Sequence, residues 1–176
     1  RERLQASGRF DSSEIQVPLA ATIEQLLLVH TEDWVRRVVS GELTPDETRR
    51  IGFPWSPQMV ERSRRSAGAT IEAARYALEH RVAANLAGGT HHAFPDRGAG
   101  YCVFNDVAIA VRCLQSEGRI RCAMIVDGDV HQGDGTAYIF QGDANVRTFS
   151  VHAQKAFPAR KQQSDVDRSL PPATGD

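Results

Sequence analysis

The spacing of apolar positions changes partway along the chain, and the first third reads as helical. Thr22 to Val29 carries an apolar stripe. Thr31-Glu32-Asp33 supplies a cap and an acidic first turn, and Trp34, Val35, Val38 and Val39 follow at helical spacing until Gly41. Thr44-Pro45-Asp46-Glu47 matches a capping box with proline at the first helical position, which predicts a short helix to about Arg50. Gly52-Phe53-Pro54-Trp55-Ser56-Pro57 breaks the pattern, and Ser56-Pro57 opens a long helix to about Glu79. Both ends read as cut: Arg1-Glu2-Arg3-Leu4 looks like the middle of a helix, and the chain stops at Gly175-Asp176 just after a turn-rich stretch.

Short apolar runs follow. Val82 to Ala87, Arg121 to Val126 and Val146 to Val151 are expected strands, with a helix from about Asn105 to Glu117 closed by Gly118 in a left-handed cap. Strands alternating with helices predict an α/β fold with an open parallel sheet and helices on both faces. Ligands in such sheets sit beyond the carboxyl ends of the strands. Two unusual clusters fall there: Gly88-Gly89-Thr90-His91-His92 after the first run, and Asp127 to Gly135 after the second. The polar, proline-bearing tail from Ala156 to Asp176 reads as a long loop bordering a site.

Composition narrows the picture. A chain of 176 residues, 41% hydrophobic and 24% charged, is of a size to form one domain with a core of its own. A net charge of -1 gives no broad positive field, so neither a nucleic-acid partner nor an anionic membrane surface is expected. No apolar run approaches the roughly 20 residues that span a bilayer, and no signal segment opens the chain, which points to a cytoplasmic protein. Cys102, Cys113 and Cys122 are odd in number and lack CxxC spacing, so they read as buried, reduced thiols.

The chemistry lies in the two clusters. Asp129 and His131 stand two apart, so in an extended chain leaving a strand they point to the same side and can share one cation. An oxygen and an imidazole nitrogen suit zinc, and also iron(II), cobalt or manganese. A catalytic zinc usually has three protein ligands, and the sequence offers no convincing third. Asp127 and Asp134 can accept from the rings of His91 and His92, fixing their tautomers. Such a set suits metal-assisted hydrolysis, with a histidine taking and then delivering the proton. An isolated Asp-x-His is common by chance, and His91-His92 alone could be a surface loop or a satisfied core pair. Together at expected strand ends they outweigh those readings. His30 and His80 read as structural or surface residues within helices.

Three stretches then carry a family resemblance: Gly88-Gly89-Thr90-His91-His92-Ala93, Gly100-Tyr101-Cys102-Val103-Phe104-Asn105-Asp106, and Val126-Asp127-Gly128-Asp129-Val130-His131-Gln132-Gly133-Asp134-Gly135-Thr136. In order and spacing they resemble the histone deacetylase-like family, and Gln132 is similar to the class IV and bacterial branch. The resemblance implies residues 1-176 as a single domain, the amino-terminal portion of a deacetylase catalytic domain in the arginase/deacetylase superfamily. It implies zinc bound by Asp129 and His131, His92 as general base and acid paired with Asp134, and His91 as an electrostatic partner held by Asp127. The Gly100 carbonyl would meet the amide of an acetyl-lysine or other acylated amine, with Tyr101 and Phe157 lining a narrow tunnel for its stem. Oxygens of Asp127, Asp129, His131, Ser150 and Val151 would enclose a structural monovalent cation such as K+. Two departures stand out: Gly128 replaces a usual leucine, and Gly52 to Pro57 lacks an aspartate that grips the substrate backbone in some relatives. The family's third zinc ligand and its transition-state tyrosine correspond to positions after residue 176. Alternatives are hydrolysis of an acetylpolyamine or other small amide, a manganese reaction like that of the arginases, and a truncated chain that binds metal without turnover.

Overall fold

The computed structural model describes residues 2–11 and 14–174, so Arg1, Gly175 and Asp176, included in the expected terminal helix and loop, lie outside the described residues. Helix α1 spans Glu2–Ala6, α2 Ile23–Leu27, α3 Glu32–Ser40, α4 Pro45–Ile51 and α5 Pro57–His80. Each of α2 to α5 begins where a hydroxyl accepts a backbone N–H of its first turn: Thr22, Thr31, Thr44 and Ser56 are the caps. Thr44 and Glu47 form the full capping box, and Gly41 and Gly52 end α3 and α4 in left-handed conformation. The buried faces of these helices meet in one cluster that includes Leu26, Trp34, Val38, Ile51, Ile71, Phe104 and Ile109. Trp34 is fully enclosed, and its indole N–H donates to the Val103 carbonyl at 3.1 Å.

Helix α6 spans Asp106–Ser116, packs along α5, and carries the chain to strand β1, Ala123–Asp127. Helix α7, Asp134–Phe140, leads to β2, Val146–Ala153, and β3, Val166–Leu170, follows. The three strands form a parallel sheet in the order β1-β2-β3, with Asp127 beside Ser150 and Phe149 beside Val166. Ala108 and Val111 of α6 and Phe140 of α7 cover Val146, Ala123 and Ile125 on one face. Met124 and Val126, on the other face of β1, are each 66% exposed. Among the described residues no helix is long and apolar enough to cross a membrane.

Four expectations are corrected. Residues 82–87 form no strand. Asn85 Nδ2 donates to the Ser66 carbonyl (3.0 Å) and to Thr70 Oγ1 (2.8 Å), and Ser66 Oγ donates to the Ala87 carbonyl, so α5 takes up polar groups that a neighbouring strand would otherwise pair. The histidine cluster therefore follows a helix-anchored segment, not a strand. The tail is not all loop, because Val166–Leu170 pairs along β2 as a mostly exposed edge strand. After His131 the chain continues into α7, whose Ala137 and Phe140 are buried one turn apart. Finally, Cys122 is exposed while Cys102 and Cys113 are buried, and His30 lies just beyond α2, enclosed by protein, not within a helix.

Candidate active site

The loop bearing His91 and His92 is fixed from below by the start of α6. Asp106 is buried, and its carboxylate accepts from Thr90 N (2.7 Å), Thr90 Oγ1 (2.6 Å), Gly89 N (3.1 Å) and Thr70 Oγ1 (2.5 Å). Four donors satisfy a charge that would otherwise be costly to bury. Asn105, the cap of α6, donates to the Ala93 carbonyl (3.2 Å) and Thr136 Oγ1 (3.1 Å), while Thr136 N donates to the His91 carbonyl (3.1 Å). The histidine loop is thereby tied to both α6 and α7.

The end of β1 meets that loop. His91 Nδ1 lies 2.5 Å from Asp127 Oδ2, and His92 Nδ1 lies 2.7 Å from Asp134 Oδ1. A carboxylate can only accept, so Nδ1 donates in each pair and Nε2 is left as the basic nitrogen. The two rings stand 4.2 Å apart, and both are buried. Burial pulls the His91 pKa down, but the Asp127 hydrogen bond and the charges of Asp127, Asp129 and Asp134 raise it above the ordinary value. Gly133 makes room for the first pair: a Cβ there would stand 2.3 Å from Asp127 Oδ2 and 3.0 Å from His91 Nδ1.

Asp129 and His131 sit at the solvent side. Asp129 Oδ1 accepts from His131 N (2.8 Å) and lies 2.9 Å from His131 Nδ1. Burial pushes the Asp129 carboxyl up, but the His131 backbone and ring, with the His91 charge, bring it below its usual value. Two donor atoms 2.9 Å apart can share one cation with metal–ligand lengths of about 2.0–2.2 Å. The pair thus fits part of a zinc site. Among the described residues no group of three or more metal-ligating side chains converges.

Around the rings, Phe157 stands edge-on to His92 at 4.8 Å and 6.3 Å from the His131 ring. Gly100 lies directly against them, since a Cβ there would be 2.7 Å from His92 Cδ2 and 3.1 Å from Phe157 Cε1. Tyr101, 69% exposed, instead packs on Phe53 at 5.9 Å, beside a cavity of about 350 Å³ that Met59, Arg62, Thr90 and Phe104 also line. Ser150 is buried next to Asp127 across the sheet, Val151 follows it, and Ala153 N donates to the Val130 carbonyl at 2.9 Å. Asp127, Asp129, His131, Ser150 and Val151 therefore share the carboxyl end of β1 and β2. Burial drives the Cys102 thiol to about 12 and Cys113 to about 11, so both stay protonated.

Sequence reasoning passed over Asn105, Asp106, Gln132 and Gly133 as parts of this site. The signal was present for Asn105-Asp106, a cap followed by an acid at a helix start, but the sequence does not say what that acid holds.

With this geometry in place, the sequence comparisons identify the class. A model of the histone deacetylase domain matches residues 1–170, and the chain belongs to the histone deacetylase family. It is 52% identical to an uncharacterized protein of Picosynechococcus sp., over 92% of this chain and 53% of that one. The acetoin utilization protein AcuC of Bacillus subtilis is 34% identical, over 85% of this chain and 41% of AcuC. The crystal structure of an HDAC homolog from Aquifex aeolicus superimposes with a TM-score of 0.81 at 28% identity, covering 95% of this chain and 50% of that one. A structure of an HDAC homolog complexed with SAHA matches with the same figures. The chain spans about half the length of these relatives.

Proposed function

We propose that this chain is the amino-terminal portion of the catalytic domain of a zinc-dependent amidohydrolase that removes an acyl group, acetyl foremost, from a lysine side chain or related amine. The observation that carries this reading is the double pairing of His91 with Asp127 (2.5 Å) and His92 with Asp134 (2.7 Å) beside the Asp129 and His131 donors. His92, the more buried ring, takes the proton of the attacking water on Nε2 and delivers it to the leaving amine, while Asp134 holds its tautomer. His91, favoured in its charged form by Asp127, stabilises negative charge developing on the reacting carbonyl.

Asp129 and His131 would hold the zinc, or iron(II) or another divalent ion, together with a donor that the described residues do not contribute. When bound, the cation supplies Lewis acidity toward the acyl carbonyl and lowers the pKa of the attacking water. The Gly100 carbonyl accepts the substrate amide N–H, and Phe157, edge-on to His92, gives the methylene stem an apolar wall, with the exposed Tyr101 ring beside Gly100 at the outer rim. Oxygens of Asp127, Asp129, His131, Ser150 and Val151 would hold K+ as a structural ion.

The test is His92→Ala in the intact encoded polypeptide, assayed on an acetyl-lysine peptide with bound zinc measured alongside. Turnover is expected to fall about 100- to 10,000-fold with zinc retained. Wild-type turnover by the variant would sink the reading, and two manganese ions per chain would favour an arginase-like reaction.

A further inference from the structure

Phe157 stands over the proposed proton-transfer histidine, yet it lies in the segment 154–165 between β2 and β3, which has no regular structure of its own. The two ends of that segment are pinned to the sheet. Gln154 N donates to the Leu170 carbonyl and Ala156 N to the Ala153 carbonyl at its start; at its end Asp165 accepts from Thr148 N and from Arg147 while its own N donates to Thr148 Oγ1, and Ser164 N donates to Asp167 Oδ2. Lys161 Nζ donates to the Ala156 and Pro158 carbonyls at 2.6 and 2.7 Å, an internal brace that attaches to nothing outside the segment.

Between residues 157 and 163, the hydrogen bonds that reach the rest of the described fold all belong to one side chain. Gln132 Nε2 donates to the Gln162 carbonyl at 2.8 Å, and Gln132 Oε1 accepts from Gln162 N at 2.9 Å. The amide thus engages both backbone groups of Gln162, as a neighbouring strand would. Its Nε2 also donates to Asp167 Oδ1 at 2.8 Å. Gln132 is 1% exposed, so these groups have no water to fall back on. It also follows His131 directly, so one turn of chain carries a proposed metal donor and the tether of the opposite wall.

We propose that Gln132 is a positioning residue, whose amide fixes the 154–165 segment and thereby holds Phe157 against His92. The proposal deepens the deacylase reading and rests on it for its functional consequence. The side-chain chemistry is demanding. A glutamate keeps the acceptor but loses both donors and faces Asp167 with like charge, and a methionine of similar length makes none of the bonds. Release of the segment loosens a wall that binds the acyl-amine stem and leaves the His92–Asp134 pair in place, so it raises KM and spares kcat.

The test uses Gln132→Met in the intact encoded polypeptide, with Asp167→Ala as a second variant at a more exposed partner that is less prone to misfold. Three readouts are taken: tryptic cleavage at Lys155, Arg160 and Lys161, bound zinc, and kinetics on an acetyl-lysine peptide. Loss of these bonds is expected to speed cleavage within the segment about tenfold and raise KM about tenfold, with kcat and zinc content near wild type. Cleavage at the wild-type rate in both variants overturns the proposal, as does a freed segment with unchanged KM in an active enzyme. A freed segment in a polypeptide whose wild type hydrolyses no acyl-lysine supports the tether and removes the deacylase reading instead.

Discussion

At Gly133 two side chains compete for the space that a single methyl group would fill. A Cβ would reach Asp127 Oδ2 at 2.3 Å, far inside contact distance, and His91 Nδ1 at 3.0 Å. Neither neighbour can give way cheaply, because each is the other's partner. Gly133→Ala is therefore expected to push the carboxylate off the ring. Burial then dominates at His91, and its pKa falls below the wild-type value, which titration of the ring resonances by NMR would follow. An unmoved resonance would show that the pair survives the methyl group. Turnover should drop about 100-fold if His91 serves as the electrostatic partner. Gly128 presents the opposite case. No atom lies within 4 Å of a Cβ there, so no close approach demands glycine at this position. The sequence flagged Gly128 by comparison and passed over Gly133, whose requirement is visible only once the two chains converge.

Among the elements, the start of α6 joins local and distant demands. Asn105 caps the helix through Ala108 N at 3.1 Å and also donates to Ala93 and Thr136, which hold the histidine loop. Asn105→Ala loses the cap, worth about 1 kcal/mol, and leaves buried acceptors unpaired, so a total loss of about 2–4 kcal/mol is expected in urea denaturation. A loss under about 1 kcal/mol would mean that the cap alone mattered. The same distinction explains which elements the sequence revealed. Caps at Thr22, Thr31, Thr44 and Ser56 act within one turn of chain, so residue order was enough to find those helices. The apolar run 82–87 looked like a strand, but Asn85 bonds to Ser66 and Thr70, 19 and 15 residues away, and fixes the segment to α5. Val166–Leu170 was hidden for the complementary reason: as an exposed edge strand it needs little apolar sequence, and its pairing with β2 defines it. In the site, the acids and histidines were legible as residue types at set spacings. The tethers at Asp106 and Gln132 were not, because their partners lie on other segments.

For the molecule as a whole, His30 is where distant segments are pinned together. Its Nδ1 donates to the Phe94 carbonyl at 3.0 Å, its Nε2 accepts from Asn105 N at 3.0 Å, and its ring meets Phe104 edge-on at 5.3 Å. These contacts span 64 and 75 residues of sequence, so inspection of the neighbourhood of His30 could not reveal them. The Nε2 bond requires the neutral ring, because a protonated Nε2 cannot accept from Asn105 N. Burial lowers its pKa to about 4, against a smaller upward pull from the Pro95 and Phe94 backbone. The unfolded chain, with an ordinary histidine near 6.5, then binds more protons than the folded chain between those two values. Stability from this residue is thus fully present above about pH 6.5 and is lost as pH falls toward about 4, a total of roughly 3 kcal/mol. Denaturant unfolding at pH 7, 5.5 and 4 should reveal the loss. In His30→Gln, which carries no titrating ring, the molecule starts less stable but its stability should decline less over the same interval. An equal decline in both proteins would place the acid sensitivity elsewhere and leave His30 as a neutral pin without a role in the pH response.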